Sequence, residues 1–455
     1  MRFTFVFNTS LLLLVPLIAV SAFAGSSGAQ TAYSEQVNHI ATAYHDVFGF
    51  AGTVKVVKGG EEIYKASFGD ANREFDVPNS PSHRVSINSV SKVFTAAAVL
   101  KLAEAGKVSL HTPIAQYLPE LKASWRDEVT LHHLLTHTSG LPRESGIASH
   151  QSLTFEQQIA MLIEQQSLLF TPGERYEYSN AGITLLGRIV ENVSKVPFSE
   201  FIAQQILEPL KLPNTGVYTG NTVVERQVTP YHMTPDGVST AQRTKHLGDN
   251  AGGGMYSTVD DLYRFVVALE SYQLLNEAIT NAMFAAHIQS QDGDSHGYGW
   301  TLKPFGDGML RFAAGSGYGT KSVMVRSPDT EDFIAITSNW GNTPILPLMG
   351  DIFMAINDLQ YAIPDTNMLP SADRYQPFLG RYVFKADELQ RHLMMDSNIV
   401  TLQSVDGKLF LNDELLAKKP DDKLGLTYTN ELTIAFKDQQ IIIEINGNTL
   451  VGTRR

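Results

Sequence analysis

The chemistry of this chain starts with a serine and a lysine three residues apart, Ser89 and Lys92, in the stretch Arg84-Val85-Ser86-Ile87-Asn88-Ser89-Val90-Ser91-Lys92. Short alternating apolar runs, read as strands, precede it. Val93-Phe94-Thr95-Ala96-Ala97-Ala98-Val99-Leu100 follows, a run rich in helix formers that Gly106 ends. Ser89 therefore stands where extended chain enters a helix. Backbone N–H groups there lack an intrahelical partner, and the helix dipole favours negative charge. Residues three apart project from one helix face. A serine becomes a nucleophile only when a base takes its proton. A lysine in a partly dry pocket can be that base, or can hold a second base in place. A capping serine followed by a solvated lysine has the same spacing, so the rest of the chain must decide.

A second cluster is Glu174-Arg175-Tyr176-Glu177-Tyr178-Ser179-Asn180-Ala181-Gly182, after the turn Pro172-Gly173 and ahead of a helical run. Tyr-x-Asn at a loop-to-helix junction can aim a phenol and an amide into one cleft. A phenol beside a cation gives up its proton more readily, which makes Tyr178 a second candidate base toward Ser89. Asn180 can orient a substrate amide or steady Lys92; a packed tyrosine with an asparagine cap is the structural alternative. His133 and His137 stand at i, i+4, a spacing that can hold a metal. No glutamate lies between them and no third ligand is obvious beside them and His132, so a packed helix end before Ser139-Gly140-Leu141-Pro142 is the expectation. Asn250-Ala251-Gly252-Gly253-Gly254 leads into Ser257-Thr258-Val259-Asp260-Asp261-Leu262. Without Gly-Lys-Ser/Thr this fits a helix N-terminus with acids in its first turn better than a phosphate cradle. No metal and no cofactor is expected.

The chain has 455 residues, enough for two or three domains, and a formal net charge of −12 without a basic block. That argues against nucleic acid or anionic membrane as a partner and leaves a small-molecule or peptide substrate. Arg2, the apolar stretch 11–20 and Ala22-Phe23-Ala24 make a secretory signal peptide over residues 1–24. No other stretch is long and apolar enough to span a bilayer. With no cysteine there is no disulfide, thiol chemistry or lipid-anchored cysteine. The mature protein is expected in the periplasm or outside the cell. The oligomeric state is not legible.

In chain order, residues 33–48 have a helical period, and 52–57 with 62–66 read as a hairpin around Gly59-Gly60. The stretch 129–140 reads as a short helix, and 153–245 as mostly helical segments broken by proline and glycine. Strand character returns at 297–302, 309–315, 321–325 and 333–337, before a helical run over 344–359. This order suggests an antiparallel sheet built from both ends of one domain, with a helical lobe inserted. Residues 361–378, with prolines at 364, 370 and 377, read as a linker. Short runs at 381–384, 399–402, 408–411, 432–436 and 441–445 then predict a small all-β domain over 379–455, sandwich or barrel.

Together, Ser89-x-x-Lys92, Leu134-Leu135-Thr136-His137-Thr138-Ser139-Gly140-Leu141, Tyr178-x-Asn180 and the stretch from Ala251-Gly252-Gly253 to Asp261-Leu262 resemble the class C β-lactamase-like serine hydrolases, across about residues 35–360. That group includes penicillin-binding DD-peptidases, D-aminopeptidases and esterases. The resemblance implies an α/β (α+β) transpeptidase-like domain over 25–360, with the site between its antiparallel sheet and an all-helical lobe, and a small C-terminal barrel-like domain. It implies Ser89 as the acylated nucleophile and Lys92 and Tyr178 as proton-transfer partners, either being the base. Asn180 and the strand residues Gly315, Ser316 and Gly317 would bind substrate, with backbone N–H groups of Ser89 and of that strand forming the oxyanion hole. One departure is plain. Where the family carries Lys-Thr-Gly or His-x-Gly, this chain has Ala313-Ala314-Gly315. The cation that steadies the tyrosine or a substrate carboxylate is gone, which favours an esterase or peptidase-like activity over an efficient β-lactamase. Lys321, just past the turn, is a candidate replacement, and Arg311 shares the strand face of Ala313. The competing expectation is a catalytically weak relative that binds peptidoglycan fragments or other peptides.

Overall fold

The computed structural model describes residues 27–143, 157, 160–162, 167–219, 222–241, 250–317, 319–385, 387–393, 395, 397–419, 423–427, 432–445 and 447–455. The signal segment 1–24 and part of the helical expectation over 153–245 lie outside them. The first helix, α1 (Ser27–Phe48), leads into a hairpin of β1 (Gly52–Lys58) and β2 (Glu61–Phe68). Helix α2 (Ser91–Glu104), which carries Lys92, comes next, then α3 (Leu131–Leu135), α4 (Asn180–Ser194) and α5 (Val259–Glu270). Six strands follow: β3 (Ile288–Gln289), β4 (Ser295–His296), β5 (Thr301–Phe305), β6 (Gly308–Ser316), β7 (Lys321–Ser327) and β8 (Asp332–Ser338). Helix α6 (Ile345–Ile356) completes this part.

The eight strands form one antiparallel sheet in the order β3-β4-β5-β6-β7-β8-β1-β2. The N-terminal hairpin joins the late strands through β1 against β8, with Gly52 opposite Ser338 and Val57 opposite Phe333. The expected closure of the sheet from both ends of the chain is therefore observed. Strands β1, β7 and β8 are buried along almost their whole length, because helices cover both faces. Alternate residues consequently feed two cores. Val54, Val56, Phe312, Val325 and Ile336 face α1 and α6. Val57, Ala313, Met324 and Ala335 face α2 and the helical lobe.

Helix α2 is buried on every side, from Ser91 to Leu100. Its small Ala96-Ala97-Ala98 run lets neighbours approach closely, and Phe94 stacks on Phe265 of α5 with ring centroids 4.0 Å apart. The helix that carries Lys92 is thus held by packing, with little freedom to tilt.

The C-terminal strands close an eight-stranded barrel: β9 (Gly380–Val383), β10 (Ile399–Val405), β11 (Lys408–Leu411), β12 (Glu414–Lys418), β13 (Leu424–Leu426), β14 (Leu432–Lys437), β15 (Gln440–Ile445) and β16 (Asn448–Arg454). Closure leaves no exposed sheet edge. Its interior holds Tyr382, Leu402, Leu411, Leu426, Ile434 and Ile443, and Ala372 and Tyr375 from the 361–378 stretch pack into the same core.

Several local expectations differ from the structure. The helix expected over 129–140 is only Leu131–Leu135, since His137 takes a left-handed φ of 57°. The strand expected at 297–302 begins at Thr301. Within the stretch read as mostly helical, Tyr231–Thr234 and Gly237–Thr240 pair as a hairpin. The barrel strands β12, β13 and β16 were not legible. Among the described residues no helix is long and apolar enough to cross a membrane.

Because Phe94 couples α2 to α5, Phe94→Ala should cost about 3–5 kcal/mol of stability. Urea denaturation of the two proteins gives the difference directly, and a midpoint unchanged from the parent would contradict this packing account.

Candidate active site

Ser89 lies in a 3₁₀ turn, Asn88–Val90, between the short strand Val85–Ser86 and α2. Asn88 is left-handed, φ 48°, a conformation asparagine tolerates better than most side chains. Its amide donates to Thr320 Oγ1 at 3.0 Å, which ties the nucleophile turn to the β6–β7 connection. The turn sits directly on β6. A Cβ built on Gly315 would stand 2.1 Å from Ile87 O and 2.9 Å from Ser89 N, so only glycine fits this crossing. Ser322, opposite Gly315 in register, donates to Ile87 O at 2.7 Å and locks the contact.

The side chains of the three candidate catalytic residues converge. Lys92 Nζ donates to Ser89 Oγ at 3.1 Å and to Gly252 O at 2.5 Å. Tyr178 OH donates to the same Ser89 Oγ at 2.9 Å. Lys92 is buried, while Ser89 and Tyr178 are partly open. The glycine-rich turn is bound to α2 along its length: Met255 N donates to Ser91 Oγ and Thr95 Oγ1 donates to Ala251 O. The turn thus supplies a carbonyl for the ammonium, and its acids begin α5, where Thr258 caps Asp261 N. Asn180 is the first residue of α4. A Cβ on Gly252 would lie 3.6 Å from Lys92 Nζ and 3.8 Å from Asn180 Oδ1, so the amide borders the lysine pocket.

Tyr178 is held by its neighbours. Glu177 N donates to His137 O and Ser179 N donates to His137 Nδ1, which grips the backbone on both sides of the tyrosine. Ser179 caps α4 by accepting from Gly182 N. The His137 ring stacks on Tyr178 at 4.6 Å and 24°. Burial pushes the His137 imidazole well below its usual range, and the charges of Lys92, His296 and Arg143 push the same way. A neutral ring with Nδ1 as acceptor follows. His133 instead closes the capping box of α3 with Thr130. The two histidines therefore serve different backbone segments and do not face one metal site, and among the described residues no group of three ligands is placed to hold a metal. Tyr176 stacks on His296 at 3.9 Å, and burial raises its phenol far above the ordinary value. Tyr178, not Tyr176, reaches Ser89 Oγ.

Ala313 is buried in the core beneath α2, so its position faces the site but offers only a methyl group. Lys321 does not replace the missing cation. It pairs with Ser316 in register, and this pair faces away from Ser89. Arg311 is on the Ala313 face but is engaged by Glu270 at 2.6 Å and by the ring of Phe284. The second cation near the phenol is Arg143, 4.8 Å from the Tyr178 ring centroid, with Lys92 at 5.0 Å. Sequence reasoning missed Arg143; its signal was a basic residue directly after Leu141-Pro142. Ser316 is half-buried at the end of β6, and Gly317 abuts Asn88 Oδ1.

A serine hydroxyl on a tight strand-to-helix turn is thus bonded by both a buried lysine and a tyrosine. A family model described as Beta-lactamase matches residues 38–348. The chain belongs to the β-lactamase family. It is a serine hydrolase of the β-lactamase-related, class C-like type. It is 29% identical over 311 residues to Penicillin-binding protein 4* of Bacillus subtilis, covering 64% of this chain and 68% of that one. The crystal structure of a penicillin-binding protein from Bacillus halodurans matches with a TM-score of 0.62 and 29% identity, over 69% of this chain and 99% of that one. D-amino acid amidase from Ochrobactrum anthropi SV3, complexed with D-phenylalanine, matches with a TM-score of 0.62 and 25% identity, over 71% and 99%. In this β-lactamase-family chain the four motifs that suggested the resemblance come together around one hydroxyl.

Gly315→Ala should displace the nucleophile turn and lower Ser89 reactivity by at least about a hundredfold, the scale of one lost oxyanion donor; the rate of covalent labelling measures it. A second expectation concerns acid. Burial pushes His296 and His132 down to about 4, and His137 is pushed down as well. Each binds its proton less readily folded than unfolded. The stability they contribute is complete above about pH 6.5 and is lost as pH falls toward 4. Urea midpoints between pH 7.5 and 4.5 should therefore fall, and His296→Gln should flatten the decline; an identical slope in that variant would count against the assignment.

Proposed function

We propose that this chain is a secreted serine hydrolase that acts through a Ser89 acyl-enzyme on an ester or amide, including peptides with a D-amino acid. The observation that carries the reading is the shared hydrogen bonding of Ser89 Oγ by Lys92 Nζ and Tyr178 OH. Once Lys92 or Tyr178 has released its own proton to solvent, Ser89 Oγ adds to the carbonyl carbon as its proton passes to that amine or phenolate. The oxyanion forms beside the Ser89 N–H and the end of β6. The carbon–oxygen or carbon–nitrogen bond then breaks, and the leaving group departs with that proton. Water repeats the addition at the acyl carbon, releasing the acid and restoring Ser89. Asn180 and the backbone of Gly315, Ser316 and Gly317 line the path of the substrate. Secretion is supported by the signal pattern of residues 1–24.

Two observations narrow the substrate. The D-amino acid amidase likeness favours amides and esters of that class. Ala313 removes the cation expected to receive a carboxylate, which favours an esterase or peptidase-like activity over efficient β-lactam hydrolysis. The same alanine supports a second reading, a catalytically weak binder of peptidoglycan fragments or other peptides.

Intact mass after exposure to a fluorophosphonate and, in parallel, a penicillin separates these readings. A fluorophosphonate adduct on the parent protein, absent from Ser89→Ala, is expected, with little or no penicillin adduct. No adduct from either reagent would favour the binding protein, and efficient penicillin acylation would overturn the role given to Ala313.

A further inference from the structure

Lys321 is buried on the sheet face opposite Ser89, at the point where the barrel meets the hydrolase fold. Its ammonium donates to Ser316 Oγ at 2.6 Å and to Gly317 O at 3.2 Å, the last residue of β6 and the first beyond it. On the other face of the same strand end, Gly315 bears on the Ser89 turn. The charge that acts on Lys321 comes from the barrel: Glu414, the first residue of β12, is itself buried. The Glu414 carboxylate lies 3.4 Å from His232 Nε2, in the hairpin that abuts this corner, and its Oε2 accepts no hydrogen bond among the described residues. Barrel and hydrolase are joined around this cluster by Thr427 Oγ1 donating to Asn342 O at 2.8 Å, and by Ala417 of β12 packing into the core under α1 and α6. A buried ammonium and a buried carboxylate are each costly alone and are retained where they meet complementary charge.

We propose that Lys321 is a positioning residue for the Ser316–Gly317 strand end, with the barrel carboxylate Glu414 as its counter-charge, so that the barrel is a working part of the hydrolytic site. The inference rests on the reading of Ser89 as an acylated nucleophile with β6 beside the oxyanion. It assigns the barrel a task that strand rhythm could not. The order runs from Glu414, whose charge acts on Lys321 across the barrel junction, through the hydrogen bonds of Lys321 to Ser316 and Gly317, and only then to the Ser89 turn. Lys321 touches neither substrate nor Ser89, so its effect should fall on the rate of the bond-forming step and not on binding.

Electrostatics gives a signature that packing alone would not. Burial lowers the Lys321 ammonium to about 8, and Glu414 opposes that shift. Among the described residues, the titratable group whose charge acts on it is Glu414 from the barrel, and His232 from the hairpin lies beside Glu414. Reactivity should therefore carry an alkaline limb near pH 8 as Lys321 loses its proton. Glu414→Gln, which keeps the shape and removes the charge, should move that limb to lower pH.

The test follows Ser89 phosphonylation by a fluorophosphonate in the full-length protein, by intact mass, from pH 6 to 10. The saturating rate constant and the half-saturating concentration are read separately. Lys321→Met should reduce the rate constant about 10- to 100-fold, leave the half-saturating concentration within about twofold, and abolish the alkaline limb. Lys321→Arg should restore much of the rate at high pH. Lys321→Met with Glu414→Gln should be no slower than Lys321→Met alone, because Glu414 acts on the strand end only through the Lys321 charge. An unchanged limb in Lys321→Met, or multiplicative losses in the double variant, would overturn the proposal. If Lys321→Met does not fold, Glu414→Gln decides alone: a limb shifted down supports the proposal and an unmoved limb sinks it. Absence of labelling in the parent protein, or labelling that survives Ser89→Ala, would instead sink the reading of Ser89 on which the proposal stands.

Discussion

The crossing of the Ser89 turn over β6, with no side chain between, is the contact on which the rest of the site depends. Backbone meets backbone at Gly315, and Ser322 bonds across the gap to Ile87 O. A nucleophile needs its hydroxyl aimed at a carbonyl whose oxygen is already facing donors. That geometry tolerates errors of only a fraction of an ångström. The two-sided burial of the sheet and the all-round burial of α2 serve this end. They make the short turn Asn88–Val90 a fixed point by removing any direction in which it could relax.

Burying Lys92 beside that point creates an electrostatic debt, and the surrounding loops are arranged to meet it. Gly252 O and Ser89 Oγ accept from the ammonium, and the turn carrying Gly252 is itself pinned to α2 through Ser91 and Thr95. Two segments far apart in sequence thus share one lysine. His137 plays the matching part for Tyr178. It stays neutral through burial, accepts from Ser179 N, and presents its ring face to the phenol. The Thr-His-Thr-Ser-Gly stretch that first suggested a metal ligand is better understood as the support of a tyrosine.

The change at position 313 shows how the fold tolerates altered chemistry. Its side chain points into the core beneath α2, so an alanine there costs no packing partner that the surrounding Val57, Met324 and Ala335 do not already provide. The cationic environment of the phenol is carried instead by Lys92 and by Arg143, which come from a helix and a loop and not from the strand.

Much of this was legible in the residues themselves. Periodicity located α1, the β1–β2 hairpin, α2, the late sheet strands and α6, because each element buries a face and must repeat apolar residues at its own period. Motif spacing brought Ser89 and Lys92 together, since three residues on a helix are neighbours regardless of the fold. Short barrel strands such as Leu424–Leu426 escaped because three residues carry no readable alternation. His137 escaped because a left-handed residue after one helical turn is set by what it packs against. Above all, the approach of Tyr178 to Ser89, the inward or outward aim of Ala313 and Lys321, and the reach of Glu414 from the barrel depend on sheet register. A register of one residue decides which face a side chain takes. Local sequence determined which groups could do chemistry; only the pairing of strands distant in the chain decided which of them meet.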